Sequence, residues 1–354
     1  MKYVVFDLDQ TLAELEAFYY FIRNIRLKEY MTAFRPFMTP HISQEFENQL
    51  EMAYHNFVHL ILQEELSNQP LGLIRPGVLP MMRYLAKQKR KNRIGRVVIY
   101  SNNRVLQNLE AVRDIINVYV NTDLIESCIH WDHPIRLMDK QHPAYTKTWD
   151  TLKLILINDG APSDLHPNDV LFFDDQPHPF LQYSLRANYC LISPYQFYPS
   201  FDRIATLFLQ AINTARINHM EMMVFLIDML DSDRMDQPPI QLSEQSLYGV
   251  LSYMRELVHS RVTESLTTSP PLEDRGMQMM KTAIQMRFGG HRHDWTRKNR
   301  NRMTIKKPIS RRNDITDLSY RTNLSHRTDH SCPADCRCIV CIDAEKRGVF
   351  CTSM

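Results

Sequence analysis

Val4-Val5-Phe6-Asp7-Leu8-Asp9-Gln10-Thr11 is an apolar run that ends in two aspartates and a threonine. Far down the chain Val170-Leu171-Phe172-Phe173-Asp174-Asp175 repeats the pattern. Short runs of Val, Ile and Phe bounded by polar residues read as buried strands. Side chains at i and i+2 of a strand share a side, so Asp7 and Asp9 leave the first strand together. Ligands bind at the carboxyl ends of strands in open parallel sheets, so both acidic pairs are expected at one place.

Working outward, a third run, Arg96-Val97-Val98-Ile99-Tyr100, ends in Ser101-Asn102. Apolar runs alternate with helical patterns over residues 1–200, the signature of an α/β domain with a parallel sheet. The expected fold is a Rossmann-like, three-layer sheet with a helical insert and C-terminal helices. The insert spans 14–70: Phe18, Ile22 and Ile25, then Phe46, Leu50, Tyr54, Phe57 and Ile61, recur at helical spacing, and Pro36 and Pro40 separate the two helices. An insert at this point would form a small cap over the carboxyl end of the sheet. Residues 201–263 read as a helical extension of two helices, split by 231–239.

The remainder changes character. Residues 264–331 lack a period, and ten Lys or Arg against one acid, Asp294, fall between Arg287 and Arg312. Disorder is expected there. The stretch 287–312 reads either as a contact for nucleic acid or another polyanion, or as a solvated linker or nuclear localisation signal. In 332–354, Cys332, Cys336, Cys338 and Cys341 could hold Zn²⁺ with four thiolates, or remain unstructured thiols.

Composition excludes some classes. The chain has 354 residues, 44% apolar and 23% charged, with a formal charge of +2, so a soluble globular core is expected. Its 9 glycines are far below the roughly 25 that average usage of about 7% would give. That scarcity favours helices over Gly-rich loops. No apolar stretch reaches the length that spans a bilayer, so no membrane partner is expected. With a strand expected to start at Tyr3, no signal peptide is expected. Only Cys128 and Cys190 lie outside the tail, which suits a reducing, intracellular location, cytoplasmic or nuclear.

The motif residues fit phosphoryl chemistry. A phosphate dianion repels a carboxylate nucleophile unless cations neutralise both. Mg²⁺ takes hard oxygen ligands such as carboxylates and a backbone carbonyl. A lysine adds fixed positive charge, and Lys147 and Lys153 compete for that place. Ser101 and the Asn102 amide can offer hydrogen bonds to phosphate oxygens. One Asp could attack phosphorus, while the second moves protons to the leaving oxygen and from water.

These four pieces, in this order, resemble the haloacid dehalogenase (HAD) superfamily of phosphatases. Arg75-Pro76-Gly77-Val78 and Asp174-Asp175-Gln176-Pro177 resemble segments of the RNA polymerase II C-terminal-domain phosphatases and their nuclear LIM interactor-like relatives. Phe172-Phe173-Asp174-Asp175 also resembles the magnesium-dependent phosphatase-1 group. The resemblance implies Asp7 as nucleophile and Asp9 as general acid/base, with the Asp9 backbone carbonyl on Mg²⁺. It implies Ser101 and Asn102 as phosphate holders, Lys147 as charge balance and Thr11 as a brace. Asp175 would be the direct metal ligand, with Asp174 supporting it. The implied substrate is a phosphorylated small molecule or a phosphoprotein. Alternatives are a nucleotide or polynucleotide phosphatase, or a scaffold whose basic, Cys-rich tail binds nucleic acid. Three features depart from the family. Gln10 stands where many members have Gly or Glu, Lys147 lies 27 residues before Asp174, and the insert is helical rather than flat.

Overall fold

In the computed structural model the described residues are 2–25, 43–139, 146–232, 240, 242, 244–261 and 274–289. Five parallel strands form one sheet: β1 (Tyr3–Phe6), β2 (Arg96–Tyr100), β3 (Ile125–Ile129), β4 (Val170–Asp174) and β5 (Tyr189–Leu191), in the order β3-β2-β1-β4-β5. The fold is α/β and Rossmann-like. The three strands expected from sequence appear within a residue of their expected ends. The sequence reading did not contain β3 and β5. Ile125-Glu126-Ser127-Cys128-Ile129 is buried only at its two ends, and β5 has three residues. An edge strand half open to solvent carries a weak apolar signal.

Alternation along the strands divides the core. Val4 and Phe6 of β1, Val97 and Ile99 of β2, and Leu171 and Phe173 of β4 face one layer of helices. Tyr3 and Val5, Val98 and Tyr100, and Val170 and Phe172 face the other. Both faces are dry, which is why these strands read as unbroken apolar runs rather than alternating ones.

On the first face pack α1 (Glu16–Ile25), α2 (Gln44–Glu65), α3 (Val78–Arg90) and α4 (Leu106–Val120). On the second lie α5 (Pro134–Met138), α6 (Trp149–Asn158) and α7 (Pro179–Leu185). The insert leaves and rejoins the core through a short antiparallel stem. Ala13 bridges Ile74, Glu14 N–H donates to Leu73 O at 2.9 Å, and Arg75 N–H donates to Leu12 O at 2.9 Å. Helices α1 and α2 then join the core of the first face through Phe18, Phe21 and Phe57, which meet Phe201 and Phe208 of the extension. Residues 26–42, with Pro36 and Pro40, lie outside the described residues.

Two expectations about the C-terminal part are corrected. Among the described residues the extension holds three helices in place of two: α8 (Phe201–Thr214), α9 (His219–Ser232) and α10 (Leu247–Arg261). The break falls at Arg216, whose φ is 60°, and Asn218 then caps α9 by accepting from the amides of Met220 and Glu221. Within 264–331, where disorder is expected, the described residues 274–289 instead hold α11 (Arg275–Phe288), capped by Asp274. Met277, Met280, Ile284 and Phe288 are buried at helical spacing, a period hidden by the polar residues around it. The basic stretch beyond 289 and the four tail cysteines lie outside the described residues. No helix among the described residues is long and apolar enough to cross a membrane.

Candidate active site

Because β1, β2 and β4 are paired in register, with Phe6 opposite both Ile99 and Phe173, their following residues emerge side by side. Asp7 N–H extends the pairing by donating to Phe173 O at 2.8 Å. Asp7, Asp174 and Asp175 each offer a carboxylate oxygen within 4.8 Å of the others.

Lys147 lies between two of them. It is 1% exposed, and its Nζ donates to Asp7 Oδ1 at 2.6 Å and to Asp174 Oδ2 at 2.7 Å. Beneath it lie the rings of Tyr100 and Phe172, with centroids 5.8 and 5.6 Å from Nζ. Thr148 caps α6, so Lys147 sits immediately before the helix rather than on it. Lys153, the competitor, is half-buried on α6 and joins none of these carboxylates.

Asp9 stands at the open side of the cluster. Ser101 Oγ donates to its Oδ2 at 3.4 Å, and Asn103 Nδ2 lies 3.2 and 3.1 Å from its two oxygens. Thr11 Oγ1 donates to Asp175 Oδ1 at 3.1 Å. Asp174 spends its other oxygen, Oδ1, on the Gln176 amide at 2.9 Å. Asp7, Asp174, Ser101 and Lys147 are buried, whereas Asp9, Asp175 and Asn102 are partly exposed. Solvent therefore reaches the cluster from the side of Asp9 and Asp175.

Several participants were not singled out in the sequence. Asn103 orients Asp9, and its own Oδ1 accepts from the Val105 amide at 2.8 Å, which fixes the turn into α4. Arg136, 2% exposed, donates to Ser101 O at 2.6 Å, to Asn102 Oδ1 at 2.5 Å and to His130 O at 3.1 Å. It holds the Ser101-Asn102 segment from behind. Its Cζ lies 4.8 Å from the centroid of the Tyr100 ring. Asn103 follows Ser101-Asn102 directly, so proximity was an available signal. Arg136 carried none, because a buried arginine looks like a surface one in sequence.

The electrostatics follow from burial. Burial pushes Asp7 up to about 6 against the pull of Lys147. Burial and then the Asp7 charge push Asp9 up to about 7. Asp175 rises to about 6 for the same two reasons, and Asp174 is also raised, by burial. Burial pulls Lys147 down, but Asp7 and Asp174 outweigh it, so its ammonium is held charged above its ordinary range. Burial lowers His178, beside Asp174, to about 3, so it is neutral.

Four acids therefore share one lysine. That excess of hard carboxylate oxygens fits a Mg²⁺ ion by ligand type. Asp7, Asp175 and the Asp9 carbonyl would hold it, with Asp174 beside them.

A scan of protein-family models finds no match to this chain, and no curated protein matches it. Solved structures do resemble it. One is CbbY from Rhodobacter sphaeroides in complex with a xylulose bisphosphate, 17% identical, covering 49% of this chain and 77% of that one, TM-score 0.26. A second is a HAD-superfamily hydrolase from Geobacter sulfurreducens, 14% identical over 55% of this chain and 88% of that one, TM-score 0.24. A third is the fission yeast RNA polymerase II CTD phosphatase Fcp1 bound to beryllium fluoride, 12% identical over 82% of this chain and 67% of that one, TM-score 0.27. The likeness includes HAD hydrolases. It is distant in sequence and weak as a superposition, so the chemistry below is taken from the residues themselves.

Proposed function

We propose that this chain is a Mg²⁺-dependent phosphatase of the HAD kind, which hydrolyses a phosphomonoester through an aspartyl-phosphate on Asp7. The observation that carries it is the buried lysine bridging Asp7 and Asp174 at the carboxyl edge of a parallel sheet, with two further aspartates at hand. The group holds more carboxylates than Lys147 can balance, which suits a bound cation.

Mg²⁺ would supply positive charge against the phosphate oxygens and lower its repulsion from the carboxylates. The Asp7 carboxylate attacks phosphorus, an O–P bond forms, and the bond to the leaving oxygen breaks. Asp9, protonated part of the time near neutral pH, gives its proton to that oxygen. Water then attacks phosphorus, Asp9 takes its proton, and the bond to Asp7 breaks to release phosphate. Ser101 and the Asn102 amide hold the phosphate oxygens, and Lys147 balances charge on Asp7. Thr11 braces Asp175.

The helices of the insert 14–70 pack into the core of the first face, and the insert is proposed to bound the site as a small cap as well. Its stem joins the core at Ala13, which itself bridges Asp9, so movement of the insert would be felt at the acid/base residue. Substrates are phosphorylated small molecules or phosphoproteins that pass this cap.

The test is hydrolysis of p-nitrophenyl phosphate with and without Mg²⁺, wild type beside Asp7→Asn. Turnover that needs Mg²⁺ and vanishes in a folded Asp7→Asn variant is the expected result. Comparable turnover in the variant removes Asp7 as the nucleophile. Turnover unaffected by a chelator removes the metal.

A further inference from the structure

Arg75 closes the insert, yet its side chain works elsewhere. It is 1% exposed. Its Nε and Nη2 grip the two oxygens of Asp274, both at 2.6 Å. Nη2 also donates to Ser193 O at 2.7 Å, and Nη1 to the carbonyls of Gln10 at 3.2 Å and Thr11 at 3.4 Å. Three separate parts of the chain thus meet on one guanidinium: the active-site turn, the loop after β5, and the start of α11.

Two details show that α11 is built for this contact. Asp274 is also the N-cap of the helix, its Oδ1 accepting from the Met277 amide at 2.9 Å. Gly276 lies against the guanidinium: a Cβ there would stand 2.1 Å from Arg75 Nη2 and 2.6 Å from Ser193 O. Only glycine lets the helix come this close.

The turn that Arg75 supports is strained. Gln10 has a φ of 56°, left-handed for a residue with a Cβ. Its carbonyl accepts from Tyr195 N–H at 2.7 Å as well as from Arg75, and its amide donates to Ala13 O at 2.8 Å. Such a conformation persists only where the surroundings over-determine it. Asp9 precedes it and Thr11 follows it.

We propose that α11 is a latch for the active-site turn. Asp274 and Arg75 are positioning residues that keep Gln10 left-handed, and so keep Asp9 and Thr11 in place. A helix beyond the α/β core, reached through the long segment after α10, thereby completes the catalytic turn. This rests on the reading of Asp7 and Asp9 as the phosphatase site.

The test uses the full chain carrying Asp274→Asn. Asparagine still caps the helix but gives up the carboxylate that Arg75 grips. Amide hydrogen exchange over residues 8–14 should quicken by about tenfold or more while α4 exchanges as before. The kcat on p-nitrophenyl phosphate should fall about tenfold with KM nearly unchanged. Gln10→Gly in the Asp274→Asn background should recover most of kcat, because glycine adopts the left-handed conformation without help. Unchanged exchange over 8–14 overturns the latch, as does equal quickening throughout the molecule, which would make the pair a general staple. No recovery by Gln10→Gly overturns it too. A wild type without turnover would fail the phosphatase reading alone, and the exchange result would then decide the latch.

Discussion

Two buried cations, Lys147 and Arg75, each 1% exposed, keep opposite company. Arg75 faces one carboxylate, Asp274, and sends its remaining donors to backbone carbonyls. Its charge is matched and its planar fork is satisfied, which is what a structural pair needs. Lys147 faces Asp7 and Asp174, with Asp9 and Asp175 beside them. That surplus of carboxylate would be costly in a purely structural group, and burial already drives these acids towards their neutral forms. Charge balance, more than burial, therefore separates the proposed metal site from a staple that is complete.

Substitutions can break the comparison. The largest effect is expected at Asp9→Asn, which leaves the charge-matched pair alone and removes the proton carrier. The kcat should drop by roughly 10²–10⁴, the usual worth of general acid–base catalysis, with folding intact by circular dichroism. A loss below tenfold would take Asp9 out of proton transfer.

Next is Arg75→Met. Removing one partner of a buried pair strands the other, so a loss of about 3–5 kcal/mol is expected in urea unfolding. Lys147→Met should cost less at low pH, because Asp7 and Asp175, raised to about 6, can take up protons in place of the lost charge. At pH 5 a loss of about 1–3 kcal/mol is expected, rising at pH 8. If Lys147→Met proved pH-independent and as costly as Arg75→Met, the two cations would be alike after all.

The smallest effect sharpens the contrast through pH. Asp7 and Asp175 at about 6, and Asp9, Glu14 and Glu65 at about 7, are all raised by burial above the carboxylate range near 4. The folded chain thus keeps protons that the unfolded chain has released. Their contribution to stability is present below about pH 4 and is lost as pH rises through 6 to 7. In a chelator, Tm should fall over that range. Mg²⁺ binds ionised carboxylates, so the Tm it restores should be greater at pH 8 than at pH 5. A Tm indifferent to Mg²⁺ at pH 8 would leave the surplus of acid unexplained.

Much of this was legible from local pattern. The runs Tyr3–Phe6, Arg96–Tyr100 and Val170–Phe173 are buried on both faces, so their apolar continuity marked them as strands of a parallel sheet. Acids or a hydroxyl directly after such runs marked the candidate site. Other parts were hidden for physical reasons. The strand Ile125–Ile129 is half open to solvent and Tyr189–Leu191 is very short, so neither carried a strong signal. Helix Arg275–Phe288 hid its four apolar contacts in a polar, basic stretch. Arg136 and Asn103 show their roles only through partners distant in the chain or through the geometry of a turn.

The sequence by itself thus determined the α/β class, the strands that end in acids and the chemistry those acids suit, because periodicity and residue type are local properties. Tertiary structure alone decided which lysine meets the acids and which arginine turns inward. It also decided that the helix Arg275–Phe288, far from Gln10 in sequence, lies behind the turn at Gln10. Burial and charge balance are properties of the assembled neighbours, and residues 140 to 199 positions apart become neighbours only when the chain folds.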